Sequence, residues 1–186
     1  MKILPISFAI LLVLGAVTVG TRVEAAQPDI GLKGIGPRLG YVDPETSLDG
    51  ALEFGLDFQL GEWVPQLKWD ASISYWSSGQ DWSYGGRGYE WSLNDLAFRT
   101  GVNYHFLPGD WQPYAGGGIG LHMYSWDYAG APGLADNDDS EFGFYIDGGV
   151  HHQFNTQWSG QAQLQLDFAD VDQTQIMLQA IYHLGK

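Results

Sequence analysis

The chain has 186 residues, a formal net charge of −14 and no cysteine. The acidic balance argues against a nucleic-acid-binding protein, because phosphate binding requires a basic patch. The lack of cysteine excludes a small domain held together by disulfides. An exported protein of this kind needs another source of stability, and a closed, hydrogen-bonded sheet is one.

Residues 1–26 have the features of a secretory signal peptide. Lys2 supplies a positive charge, a long apolar stretch follows, and the segment ends in small residues at Ala25 and Ala26. The alternative is an N-terminal membrane anchor, for which the apolar stretch is about long enough. We expect a removed signal peptide over 1–26 and a single domain over 27–186.

The rest of the chain contains eight segments in which apolar and polar residues alternate. This is the pattern of a β-strand with one apolar and one polar face. The segments are 33–41, 50–60, 66–76, 91–106, 113–124, 141–154, 160–168 and 174–184. In the fourth segment, Trp91 and Leu93 have the opposite parity to the apolar residues from Leu96 onward. This change of parity predicts a bulge near Asn94 and Asp95.

The connections between these segments alternate in length. Three of them are tight, at 61–65, 107–112 and 155–158, whereas most of the others are longer and polar. Short turns at one end and longer loops at the other are typical of outer-membrane barrels, where the short turns are periplasmic. The strands, at about 9–12 residues, also match the length that a tilted strand needs to cross the hydrocarbon layer.

The size of the apolar side chains decides which face of the strands points outward. Nearly every segment has large apolar residues on one face, as in Leu52–Leu60. Eight such faces would overfill an eight-stranded barrel, whose interior is only just wide enough for side chains. Glycines such as Gly116, Gly118 and Gly120 lie on the polar faces, where a narrow lumen needs small residues. We therefore predict an all-β fold, an eight-stranded antiparallel up-and-down transmembrane β-barrel with its apolar faces toward lipid.

The tryptophans are placed as two membrane-interface girdles would require. Each tight turn carries one tryptophan, and most of the others lie toward the longer loops. An indole at the membrane boundary buries its ring and keeps its N–H in water. The predicted girdle residues are Trp63, Trp111 and Trp158 at the short turns, with Trp76, Trp91 and Trp126 at the loop end.

Charged residues on the polar faces point to an ionic network in the lumen. Burying them is tolerable only if opposite charges meet and water penetrates. We expect Lys68 and Arg99 to pair with carboxylates among the others. The predicted network consists of Glu53, Asp57, Lys68, Asp70, Arg99 and Asp147.

The segment "PYAGGGIGLHMY" at 113–124 resembles the glycine-rich strand of small outer-membrane β-barrel proteins, the OmpA/OmpX-like group. Together with the eight-strand layout, the resemblance covers about 27–186. It implies a monomer in the cell outer membrane, surrounded by outer-membrane lipid and lipopolysaccharide and inserted by the barrel-assembly machinery. The chain departs from these relatives at its end, where Gly185 and Lys186 follow Leu184 in place of a terminal aromatic residue.

Neither a catalytic centre nor a cofactor or metal site is predicted. His122 and Ser125, three residues apart, lie on opposite faces of a strand, and a nucleophile, base and orienting group do not come together. The acidic stretch 136–141 could bind calcium through oxygen ligands, but it lacks the spacing of an EF-hand loop. We expect a non-enzymatic protein with a structural or surface-loop interaction role in the envelope. The alternatives are a lipid A-modifying barrel enzyme and a soluble secreted barrel that binds an apolar ligand.

Overall fold

The computed structural model describes residues 27–46, 48–84, 87–129 and 137–185. The predicted signal peptide, 1–26, lies outside the described residues. Within the described ranges, no helix has the length and apolarity needed to cross a membrane.

Eight antiparallel strands close into a barrel, in which each strand pairs with its neighbours in chain order and the last pairs with the first. The predicted fold class is confirmed. The strands are β1 Asp29–Pro44, β2 Ala51–Val64, β3 Leu67–Tyr84, β4 Arg87–His105, β5 Trp111–Ala129, β6 Asn137–Gln153, β7 Trp158–Phe168 and β8 Gln173–His183.

The barrel has the polarity that the side-chain sizes predict. In β2, Leu52 is 68% exposed and Phe54 57%, whereas Glu53 between them is 1% exposed. The same alternation runs through β8, where Ile176 and Leu178 face outward and the intervening Met177 is buried. Because the lipid-facing wall is apolar and the lumen polar, the soluble barrel with an apolar interior is wrong for this chain.

Four strands are much longer than a membrane crossing needs. β3, β4, β5 and β6 have 18, 19, 19 and 17 residues, against about 9–11 for one crossing. Short turns join these strands at one end, so the excess projects beyond the barrel at the other. Much of what the sequence presents as long polar loops is therefore paired strand, and pairing continues to Tyr84 and Arg87. We call this projection the sheet extension.

The bulge predicted near Asn94 and Asp95 is absent. The pairing of β4 with β3 and with β5 continues through these residues without a register shift. Trp91 and Leu93 have the parity of the lumen-facing residues, and Leu93 is fully buried. The same face of β4 points into the lumen along the whole strand. The change of pattern in the sequence arises because the lumen is polar around Arg99 and apolar around Leu93.

The short-turn end carries the barrel's irregularities. Register shifts occur between Ile30 and Gly34 in β1 and on either side of Gly61–Glu62 in β2. The turn from β2 to β3 places Gln66 at a φ of 75°, a left-handed conformation that is uncommon for a residue other than glycine. The rest of this end consists of compact turns, and the opposite end, called the loop end below, carries the sheet extension.

Candidate functional site

Two arginines form the centre of the lumen's ionic layer. Arg38 on β1 lies 3.2 Å from Glu53 and 3.3 Å from Asp57. Arg99 on β4 lies 3.9 Å from Glu53 and donates from Nε to Asp167 at 2.8 Å. All five side chains are largely buried. The layer ties together strands on different sides of the barrel and fills the lumen at this level.

The structure brings together only part of the predicted network. Glu53, Asp57 and Arg99 belong to the ionic layer. Asp70 instead accepts a hydrogen bond from Asn103, and Asp147 accepts one from Gln163. Neither carboxylate has a basic partner among the ion pairs of the described chain.

Lys68 does not take the partner expected for it. Its Nζ donates to the side-chain amide oxygen of Gln112 at 2.9 Å, and no ion pair of the described residues includes it. Lys68 lies at the short-turn end of β3, opposite Glu62 in register.

Arg38 and Asp167 carry the ionic layer but are missing from the predicted set. Arg38 lies between the outward-facing Pro37 and Leu39 of the first segment, and this alternation is the signal that could have identified it as a lumen residue. Asp167 ends the polar row of β7, after Gln163 and Gln165. Its Oδ2 accepts hydrogen bonds from Arg99, Gln165 and Gln175.

A second polar group lies on the loop-end side of this layer. Asp95 Oδ2 accepts hydrogen bonds from Trp76 Nε1 at 3.2 Å and Gln173 Nε2 at 2.9 Å, and it lies 2.8 Å from His122 Nδ1. Asp95 and His122 are both fully buried. These three contacts on one carboxylate oxygen fix the side chains of Trp76, Gln173 and His122 on the loop-end side of the ionic layer.

An apolar plug closes the lumen at the loop end. It is a cluster of buried side chains against which Ala51 and two tryptophans, Trp91 and Trp126, also pack. The cluster consists of Val42, Leu48, Trp76, Leu93, Tyr124 and Val171. The rings of Trp91 and Trp126 are stacked, with centroids 5.7 Å apart and nearly parallel planes. Within the described residues, packed apolar side chains therefore occupy the loop end of the lumen.

The predicted loop-end girdle is therefore wrong. Trp76 is 1% exposed and belongs to the plug, and Trp91 and Trp126 pack against the same cluster. All three have the lumen-facing parity of their strands. Tryptophans near a strand end suit a membrane boundary and the mouth of a barrel equally well, because both bury a ring beside water. The register decides between them.

At the short-turn end, by contrast, the tryptophans face outward. Trp63, Trp111 and Trp158 are all exposed. Trp111 stacks on His152, and Trp158 packs edge-on against Tyr182. This is the placement that an interface girdle at that end requires.

On the short-turn side of the ionic layer, the lumen holds a polar cavity of about 240 Å³. We call it the chamber. Its wall combines carboxylates, amides, basic groups and hydroxyls. The lining includes Asp57, Asp70, Lys68, Gln163, Asn103 and Tyr145. Residues near the short turns, such as Asp29 and Glu62, line its other end, so the chamber opens there and is blind toward the plug.

A histidine and a serine hydroxyl meet near the chamber mouth. His183 Nε2 is 2.9 Å from Ser159 Oγ. No carboxylate bonds to His183 in the described part of the chain, so the third member of a catalytic triad is missing. In the acidic stretch, residues 137–141 form the start of β6, and Asp136 lies outside the described residues. No group of three or more metal-ligating side chains is arranged around an ion site within the described ranges.

A closed eight-stranded barrel with an apolar outer wall and a polar layer in its lumen has its counterpart in a known family. The family model of the outer membrane protein beta-barrel domain matches residues 9–183. The chain belongs to this family. It is thus an outer-membrane β-barrel protein, and its localisation is the cell outer membrane.

Several solved structures share the fold of this outer-membrane barrel at low sequence identity. Ail, the attachment invasion locus protein of Yersinia pestis, is 13% identical, with a TM-score of 0.53 over 86% of this chain and 100% of that one. Neisserial surface protein A is 12% identical, with a TM-score of 0.58 over 81% and 96%. A major outer membrane protein from Thermus thermophilus is 10% identical, with a TM-score of 0.55 over 81% and 99%. No curated protein matches.

Proposed function

We propose that this outer-membrane barrel is a non-enzymatic scaffold that presents the sheet extension for contacts at the cell surface. The observation that carries the proposal is the combination of a plugged lumen with four strands that continue beyond it. Eight strands leave an interior only just wide enough for side chains, and here the ionic layer and the apolar plug occupy it between the chamber and the loop end. Because side chains occupy the lumen, we do not propose transport through the barrel. The projecting sheet is the part available to partners.

The charge of the loop end favours neutral or cationic partners. The segments 43–50, 77–92, 125–141 and 169–173 are rich in Asp and Glu and contain one basic residue, Arg87. Ail was solved with the heparin analogue sucrose octasulfate, a strongly anionic ligand. The acidic loop end of this chain repels such a ligand, because like charges facing each other oppose association.

The experiment compares ligands of opposite charge on the purified barrel in lipid nanodiscs. We expect fluorescent polylysine to bind and heparin not to bind. A variant with Asp127→Asn, Asp138→Asn and Asp139→Asn should bind polylysine at least tenfold more weakly, whereas Asp110→Asn, at a short turn, should change nothing. Equal binding by the two variants, or tight heparin binding, contradicts the proposed surface.

A lipid A-modifying enzyme remains the second candidate, and the contact between His183 and Ser159 is the observation that favours it. We propose against it because the pair lies at the short-turn end and has no carboxylate bonded to it in the described chain. The mass of lipid A from cells that express the protein tests this alternative. We expect an unchanged mass, and a shift that His183→Ala abolishes would establish the enzyme instead.

The apolar outer wall of the barrel indicates what surrounds the protein. We propose that it is a monomer in outer-membrane lipid and lipopolysaccharide, and that the barrel-assembly machinery inserts it. The outward side chains support this, since nearly every strand offers lipid a row of large apolar residues. Sedimentation of the detergent-solubilised protein checks the oligomeric state, and a dimer would contradict this part of the proposal.

A further inference from the structure

The chamber contains more negative charge than its basic residues neutralise. Arg38 and Arg99 are already engaged by Glu53, Asp57 and Asp167. Asp70 lies beyond them, half-buried on the chamber wall. Asp147 and Asp57 repel its charge, and Arg38 attracts it without forming an ion pair with it. A carboxylate in such a place is costly unless a cation or several donors satisfy it.

Buried acceptor atoms near Asp70 also lack donors. Asp147 and Asn103 are each more than nine-tenths buried. Asp147 Oδ1, Asn103 Oδ1 and Asp57 Oδ2 have no hydrogen-bond partner among the described residues. Asn103 and Asp57 line the chamber, and Asp147 is bonded to Gln163, which also lines it. Buried polar atoms are normally paired, so this end of the chamber calls for a ligand that carries several donors.

The size and geometry of the chamber select among cations. A single water needs only about 10–15 Å³ of such space, so a cavity of about 240 Å³ holds a small organic molecule as well as water. The described chain offers no cluster of three metal-ligating side chains there, which disfavours a directly coordinated divalent metal. An ammonium group carries donors and a positive charge but no strict coordination geometry.

We propose that the chamber binds a small organic ammonium ion from the periplasmic side, with its charged group against Asp70 and Asp57. The inner end is closed to the outside by the ionic layer and the plug. The mouth is nearly balanced in charge, because Lys33 is paired with Asp29 at 2.6 Å and Lys68 lies opposite Glu62. The excess negative charge is therefore deep in the chamber. This site does not depend on the surface contacts proposed for the sheet extension.

A cysteine-labelling experiment tests the site, since the native chain contains no cysteine. Ser72 lines the chamber and is the register partner of Asp57. Ser72→Cys is treated with aminoethyl methanethiosulfonate, which is cationic, and with sulfonatoethyl methanethiosulfonate, which is anionic. Thr156→Cys, in an exposed short turn, gives the reference ratio of the two rates. We expect the cation-to-anion ratio at Ser72→Cys to exceed this reference at least tenfold.

Competition then identifies the ligand chemistry. Putrescine, a diamine, should slow labelling at Ser72→Cys and leave Thr156→Cys unaffected, whereas butane-1,4-diol should protect neither. Asp70→Asn should remove both the charge preference and the protection, and Asp170→Asn, at the loop end, should preserve both. Each variant is first checked for the heat-modifiable migration of a folded barrel.

Calorimetric titration with putrescine measures binding to the unmodified protein in detergent, without any cysteine substitution. We expect saturable binding of putrescine and none of butane-1,4-diol. The proposal is overturned if putrescine fails to bind the unmodified protein, if the diol binds equally well, or if Asp70→Asn leaves protection intact.

Discussion

Arg99 on β4 and Asp167 on β7 meet inside the barrel although their strands are not neighbours in the sheet. Arg99 Nε donates to Asp167 Oδ2 at 2.8 Å, and Nη2 lies 2.7 Å from the same oxygen. Both side chains are 1% exposed. This contact links two strands that are three positions apart in the sheet, within the ionic layer.

Loss of one partner of this pair should destabilise the barrel strongly. Arg99→Met leaves Asp167 buried without its cation, and breaking a buried pair in this way costs about 3–5 kcal/mol. Urea unfolding in detergent micelles measures the change. The double variant Arg99→Met with Asp167→Leu should recover much of the loss, and a double variant that is no more stable than the single one would show that the pair is not the cause.

Gly118 should not tolerate a side chain. A Cβ at this position would lie 2.2 Å from the Thr100 carbonyl oxygen and 2.7 Å from the Tyr145 hydroxyl. Gly118→Ala should therefore cost about 1–3 kcal/mol, the usual range for overpacking. Gly148→Ala is the control, because its Cβ would meet only the Tyr114 carbonyl oxygen at 3.5 Å. Urea midpoints that fall equally in both variants would contradict this explanation.

The plug should respond to truncation as a protein core does. Leu93 is fully buried among the plug residues, so Leu93→Ala should cost about 2–5 kcal/mol by loss of contacts and creation of a cavity. Leu52→Ala removes the same atoms from the lipid-facing wall, where Leu52 is exposed, and its effect should be much smaller. Thermal or urea unfolding of the two variants compares them directly, and equal losses would place Leu93 outside a packed core.

A charge on the outer wall should be more costly near the middle of the membrane than at its edge. Leu164 lies midway along β7 and is exposed to lipid, whereas Leu184 follows β8 at the short-turn end. Leu164→Arg should destabilise the folded barrel by about 2–4 kcal/mol and Leu184→Arg by about 0–1 kcal/mol. Folding into liposomes over a urea series measures both, and a reversed order would contradict the depth assigned to these residues.

The fold was predictable because a closed barrel repeats one simple pattern. Period-two alternation places side chains on opposite faces, and the size of residues such as Phe54 and Phe142 leaves only the outside for them. Strand ends were less predictable. Residues 77–90 look like a polar loop, yet β3 and β4 pair through 77–84 and 87–90 as part of the sheet extension.

The site was less predictable than the fold, for an electrostatic reason. Which carboxylate a cation meets depends on the stagger of the strands, and sequence spacing does not contain that information. Arg99 reaches Asp167, a residue 68 positions away, and Lys68 reaches an amide oxygen instead of a carboxylate. Alternation identified most of the inward-facing charges but not their partners.

The amino-acid sequence by itself determined the strand count, the inside-out polarity and the outward tryptophans of the short turns, because these depend on local periodicity and side-chain volume. Only the tertiary structure decided that Trp76, Trp91 and Trp126 pack in the loop end of the lumen and that Asp70 has no ion-pair partner in the described chain. Both outcomes depend on how eight strands are staggered around one axis, which brings together side chains that are remote along the chain.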